Sequence, residues 1–153
     1  MEKLDDIDLH ILRILQKDSK KTTKEIAKIL NLTASPVYER IRRLENKGYI
    51  KKYVALLNKT HLNKAVTAVC MVSLRYHNEG FIEKFESQIK ALKEVQECYH
   101  MAGKVDFFLK INLESLTDYH EFVRLKLSKI ENIGVLESYF VLKEIHSTTE
   151  FYI

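Results

Sequence analysis

Thr22–Lys52 reads TTKEIAKILNLTASPVYERIRRLENKGYIKK, and its punctuation decides the fold of the first third of the chain. Thr22 followed by Glu25 is a capping-box signature that starts a helix, with Ile26, Ala27 and Leu30 turned inward. Asn31-Leu32-Thr33 makes a turn. Ser35 is positioned to cap a second helix and Pro36 to occupy its first position, where a missing amide hydrogen costs nothing. Val37, Ile41 and Leu44 have the spacing of a buried stripe, and Gly48 suits the left-handed stop.

Burying that stripe turns Tyr38, Glu39, Arg42 and Asn46 outward. An arginine-rich helix after a tight turn is a standard reader of the DNA major groove. Arg42 has the donors for a bidentate grip on guanine, and Tyr38 suits a thymine methyl or a phosphate. Glu39 suits cytosine or a neighbouring arginine, while Arg40 and Arg43 lie on the flanks, placed for phosphate or internal pairing. Lys51 and Lys52 fall in a following segment, Tyr49–Leu57, predicted to be an extended wing beside the DNA backbone. The bland alternative is a three-helix bundle whose arginines only keep one surface wet. Capping, turn spacing and arginine clustering together favour DNA.

Upstream, Leu4–Gln16 is a predicted helix, with Ile7, Ile11, Ile14 and Leu15 on one stripe and Asp5 and Asp6 at its start. Residues 1–60 carry 14 basic against 8 acidic side chains, a balance of +6; residues 61–153 carry 11 against 13, a balance of −2. Only the first part is suited to a polyanion.

Asn58–His61 is polar and turn-like, and beyond it the period changes. Ala65–Arg75 reads as a strand and Phe81–Leu92 as a helix with Phe81, Phe85, Ile89 and Leu92 inward. Val95–Ala102 and Asp106–Leu113 read as strands around Gly103-Lys104-Val105. Leu116–Ile130 reads as a helix carrying Leu116, Tyr119, Val123 and Leu127, and Val135–Ile145 as a closing strand. The expected fold is α+β: a winged helix-turn-helix over residues 1–57, a linker over 58–64, and a ferredoxin-like αβ-plait (βαββαβ) over 65–153. With helices on one sheet face only, the other face would expose apolar groups, which argues for face-to-face dimerisation.

With 46% hydrophobic and 30% charged residues, the chain is composed like an ordinary globular protein. The acidic start MEKLDDID is unlike a signal peptide, so a cytoplasmic location is expected, with no membrane partner. Cys70 and Cys98 sit in apolar strand patterns and read as buried free thiols. No enzyme, metal or cofactor signature is present. GKVD is too short for a phosphate loop, the six histidines lack ligand spacing, and no HExxH occurs.

The whole chain resembles the Lrp/AsnC (feast/famine) family of transcription regulators. LDDIDLHILRILQKD (Leu4–Asp18) is similar to that family's first helix, and SPVYERIRRLENKGYI (Ser35–Ile50) to its recognition helix and wing turn. VQECYHMAGKVDFFLKI (Val95–Ile111) is similar to its effector-domain hairpin and IENIGVLESYFVLKEI (Ile130–Ile145) to its last strand. The resemblance implies a regulator of transcription bound to double-stranded DNA and associated with the nucleoid. It further implies a homodimer assembling to an octamer or other higher oligomer, and an amino acid or related metabolite as effector. It implies DNA-reading roles for Ser35, Tyr38, Glu39, Arg40, Arg42 and Arg43. Its effector pattern falls on Gly103 and Asp106, with Met101, Ala102, Leu136 and Ser138 as neighbours. Physically, Gly103 permits close ligand approach and Asp106 can receive an ammonium group, although a hairpin turn needs such residues anyway. The alternative function is a DNA-organising architectural protein with little sequence choice and no effector.

Overall fold

The computed structural model describes residues 3–153. Met1 and Glu2, which open the first predicted domain, lie outside the described residues. Two compact units are present: residues 3–56 with 146–153, and residues 57–145. The closing segment, residues 146–153, groups with the first unit.

The first unit is built on α1 (Asp6–Lys17), α2 (Thr23–Ile29) and α3 (Ala34–Asn46). Asp5 caps α1 through a reciprocal box with Asp8, and Thr22 caps α2 through its box with Glu25. Both α2 and α3 end in Schellman turns. Asn31 at φ +54° places the Leu32 amide on Ala27 O at 2.9 Å, and Gly48 at φ +74° places the Tyr49 amide on Leu44 O at 3.0 Å. The start of α3 differs from expectation. Thr33 is the cap residue, in extended backbone and without a side-chain cap bond, so Ser35 and Pro36 fall inside the first turn. Pro36 is tolerated there because first-turn amides have no helical partner.

Ile11, Leu15, Ile26, Ala27, Val37 and Leu44 form the core of this unit, with Ile41 partly buried against it. Between Ile50 and Val66 no ladder forms among the described residues. Residues 51–57 have no assigned strand, and Tyr53, Val54, Leu56 and Leu57 are exposed. Amphipathic sequence alone does not make a strand, since its amides need a neighbouring edge.

The second unit runs β1 (Val66–Leu74), α4 (Glu79–Lys90), β2 (Val95–His100), β3 (Phe107–Leu113), α5 (Leu116–Leu125), a short 3-10 turn (Leu127–Lys129) and β4 (Ile133–Phe140). The sheet order is β2-β3-β1-β4 with every neighbour antiparallel, the βαββαβ plait. Ala68, Cys70, Val72, Leu109 and Ile111 are fully buried on the helix side beneath Phe85, Ile89, Tyr119, Phe122 and Leu127. Of the predicted stripe Tyr119 and Leu127 are buried and Val123 packs against the core, while Leu116 at the start of α5 is 60% exposed and Phe122 joins the buried face. Cys70 is buried as expected but Cys98 is exposed, because β2 is an edge strand with a neighbour on one side only. On the opposite sheet face Val69, Met71 and Phe108 are half-buried, and Tyr99, Val135 and Tyr139 exposed.

Candidate DNA-reading helix and effector hairpin

The inward face of α3 ends on Val37 and Leu44, both essentially inaccessible, so its outward face is set by the helical period. Ser35, Tyr38, Glu39 and Arg42 are exposed along it. The Arg42 guanidinium carbon sits 6.0 Å from the Tyr38 ring centroid, a loose cation–π pairing of residues one turn apart. The two side chains thus form one exposed patch, carrying planar donors beside an aromatic face.

Arg40 and Arg43 are placed differently. Arg40 Nη1 donates to Asp5 Oδ2 at 2.6 Å and to Asp8 Oδ1 at 2.7 Å, while Arg43 Nη2 donates to Asp8 Oδ2 at 2.5 Å. Asp8 is only 2% exposed, so one buried carboxylate holds two arginines and fixes α3 against α1. These bonds raise the pKa of Arg40 further, and the Asp8 amide together with Arg40 lowers that of Asp5. Internal pairing, the second option for these arginines, is the one the fold realises. Arg43 nevertheless remains more than a third exposed and lines, with Glu39, Arg42, Asn46 and Lys47, an open hollow of about 470 Å³.

Lys51 and Lys52 are exposed just past the helix stop. Tyr53 ties their segment back by donating its hydroxyl to Glu45 Oε1 at 2.8 Å. Burial and the Glu45 carboxylate push the Tyr53 hydroxyl up to about 12.

In the second unit, Met101, Ala102, Gly103 and Asp106 share the turn between β2 and β3. The Met101 amide donates to Asp106 O at 2.8 Å, and the Asp106 amide to Val72 O at 2.9 Å. Gly103 takes φ +152°, which side chains rarely adopt, and open space surrounds the site of its missing Cβ. Among the described residues no group accepts from the amides of Ala102, Gly103, Lys104 or Val105. Clustered unengaged amides suit an anion.

Asp106 already has partners. Its Oδ2 accepts from the Leu74 amide at 2.7 Å, and His77 Nε2 lies 3.1 and 3.0 Å from its two oxygens. Burial raises the Asp106 pKa, but the Leu74 amide and His77 outweigh it and hold the carboxyl below the usual range. The stabilisation this implies is complete above about pH 4 and is lost as pH falls through the lowered value. Thermal denaturation between about pH 2.5 and 6 checks this. Asp106→Asn should be less stable at the upper end and flatter toward acid than wild type, whereas parallel curves would remove Asp106 from the linkage.

Leu136 and Ser138 lie elsewhere. They sit on β4, opposite Val72 and Cys70, on the helix side and two strands away from β3. Ser138 Oγ accepts from the Tyr119 hydroxyl, which is 3.0 Å from Cys70 Sγ. Within one chain Ser138 belongs to that polar contact and Leu136 packs against the core, and neither belongs to the hairpin turn.

Two residues escaped the sequence reading. Asp8 carried a signal, the Asp5/Asp8 spacing of a capping box, but with Asp in place of the usual Glu or Gln. His77 carried none, being 29 positions from the carboxylate it meets. Among the described residues no group of three or more His, Cys, Asp or Glu could hold a metal ion, and no helix is long and apolar enough to cross a membrane.

Comparison with known proteins covers both units. Residues 4–51 match the winged helix-turn-helix DNA-binding family, and residues 67–151 match the Lrp/AsnC ligand binding domain family. The leucine-responsive regulatory protein of Klebsiella pneumoniae is 31% identical over 150 residues, spanning 98% of this chain and 92% of the relative. A Neisseria meningitidis transcriptional regulator solved in complex with L-Met superposes with a TM-score of 0.94 at 30% identity, covering 98% of this chain and 97% of that one. An AsnC family transcriptional regulator from Agrobacterium tumefaciens gives 0.93 at 33% identity, with 97% of each chain covered.

Proposed function

The chain belongs to the Lrp/AsnC family of DNA-binding transcriptional regulators, and from that premise we propose that it is a sequence-specific regulator responsive to an amino acid or related small metabolite. The observation that carries the reading is the division of labour along α3. One face is sealed in the core, Arg40 and Arg43 brace the helix through Asp8, and Tyr38 and Arg42 face outward together. In this reading Ser35, Tyr38, Glu39 and Arg42 meet base edges or adjacent phosphates. Lys51 and Lys52, joined by the exposed part of Arg43, supply salt-dependent phosphate contacts.

The effector reading is supported by the hairpin's chemistry. A zwitterionic amino acid needs an anion for its ammonium and donors for its carboxylate, and the Asp106 carboxylate lies beside the unengaged amides of the Gly103 turn. The L-Met complex of the Neisseria relative supports the same ligand class. Leu136 and Ser138 enter such a site only if a second chain contributes them. The apolar outer sheet face supports a homodimer, and higher assembly up to an octamer would join several DNA sites along the nucleoid. Effector binding then acts by favouring one assembly over another through differential affinity.

The test is binding of the purified protein to sequenced genome fragments, with and without an amino-acid mixture. Few enriched sites whose occupancy changes with the mixture are expected, and broad coverage without a motif would favour a DNA-organising protein instead. On an enriched site, Arg42→Ala should weaken binding about 10-fold or more, the scale of one bidentate base contact. On scrambled DNA the loss should be smaller, and equal losses would reduce Arg42 to a phosphate contact.

A further inference from the structure

His77 stands between β1 and α4 with its side chain 60% exposed, yet its ring nitrogen is within hydrogen-bond distance of both Asp106 oxygens. The backbone on either side of it is tied down. Asn132 accepts from the Tyr76 amide at 2.9 Å and donates to the Tyr76 carbonyl at 2.8 Å. On the other side, Asn78 Oδ1 caps α4 by accepting from the Phe81 amide at 3.1 Å, and the Tyr76 ring stacks on Phe81. An exposed imidazole held between two such anchors is presented to the carboxylate by the fold.

The opposite side of the carboxylate is also engaged, because Oδ2 accepts from the Leu74 amide. Of the carboxylate's roughly four acceptor sites the Leu74 amide takes one, and His77 reaches both oxygens, so a ligand ammonium meets the imidazole as a competitor for those that remain. We propose that His77 is a built-in competitor for the effector's ammonium group, occupying Asp106 until the effector displaces it. The inference rests on the reading of Asp106 as the ammonium receiver and adds to it a residue that sets affinity and amine dependence.

The experiment is calorimetric titration of the full chain with L-leucine, L-methionine and 4-methylpentanoate, the last being leucine without its amine. Wild type, His77→Ala and Asp106→Asn are compared, with thermal denaturation confirming that each is folded. Removing the imidazole should tighten amino-acid binding by at least about threefold, the scale of one net hydrogen bond. Affinity for 4-methylpentanoate should not change, which a merely structural role for His77 would not predict. Binding to His77→Ala alone would support the proposal in its strongest form. Loss of amino-acid binding in Asp106→Asn with no change in His77→Ala would overturn the competitor and leave the receiver standing. Wild-type affinity in Asp106→Asn, or no amino-acid binding to any of the three, would overturn both.

Discussion

Replacing Asp8 by alanine should destabilise the first unit by about 3 kcal/mol, the range for removing one partner of a buried ion pair. The carboxylate is 2% exposed and serves three donors: Arg40, Arg43 and, more weakly, the Asp5 amide at 3.4 Å. Its loss leaves two guanidiniums beside a small void and removes half of the capping box. For a unit of this size that corresponds to a fall in the midpoint of its thermal transition of roughly 10 °C or more. Circular dichroism of the full chain measures this, and a loss below about 1 kcal/mol would place the pairing with ordinary surface salt bridges. DNA affinity should fall as well, because α3 is braced through this residue.

Phe107→Ala should cost the second unit about 4 kcal/mol, the usual scale for truncating a buried phenylalanine. The ring is 1% exposed, with Phe85 at 4.4 Å and the His100 imidazole stacked at 4.6 Å between centroids. It is also the first residue of β3, directly after Asp106, so the cavity opens at the base of the candidate effector turn. Phe108→Ala is the internal control. Its ring points to the other sheet face, half-buried and 5.9 Å from Tyr99. Denaturant titration should show a much smaller loss for Phe108→Ala, expressed in self-association if that face pairs with a second chain. Equal losses would mean that the two faces are not divided into core and interface.

Much of the architecture was legible from the chain. Thr22/Glu25 and Gly48 locate ends of helices, Val37 and Leu44 orient α3, and the change of period after His61 separates the two patterns. These readings rest on interactions within a turn of helix or along a strand, and such interactions are nearly independent of the rest of the molecule. Where the reading slipped, a nonlocal partner decided. Residues 51–57 have strand-like sequence but no ladder partner, Leu116 at the start of α5 is exposed while Phe122 is buried, and Cys98 is exposed at the sheet edge.

The same division holds for the candidate sites. The outward face of α3 was readable, because a helix with one buried stripe has only one other side to offer. The sequence by itself therefore determined the helices, the four strands of the second unit, their order and the side of α3 available to DNA. Tertiary structure alone decided that Arg40 and Arg43 turn to Asp8, that His77 covers Asp106, and that Leu136 and Ser138 lie two strands from the hairpin they were grouped with. The physical reason is distance along the chain: caps and periods act over three or four residues, whereas each of these pairings joins residues about thirty or more apart, and only the packed core fixes which of them meet.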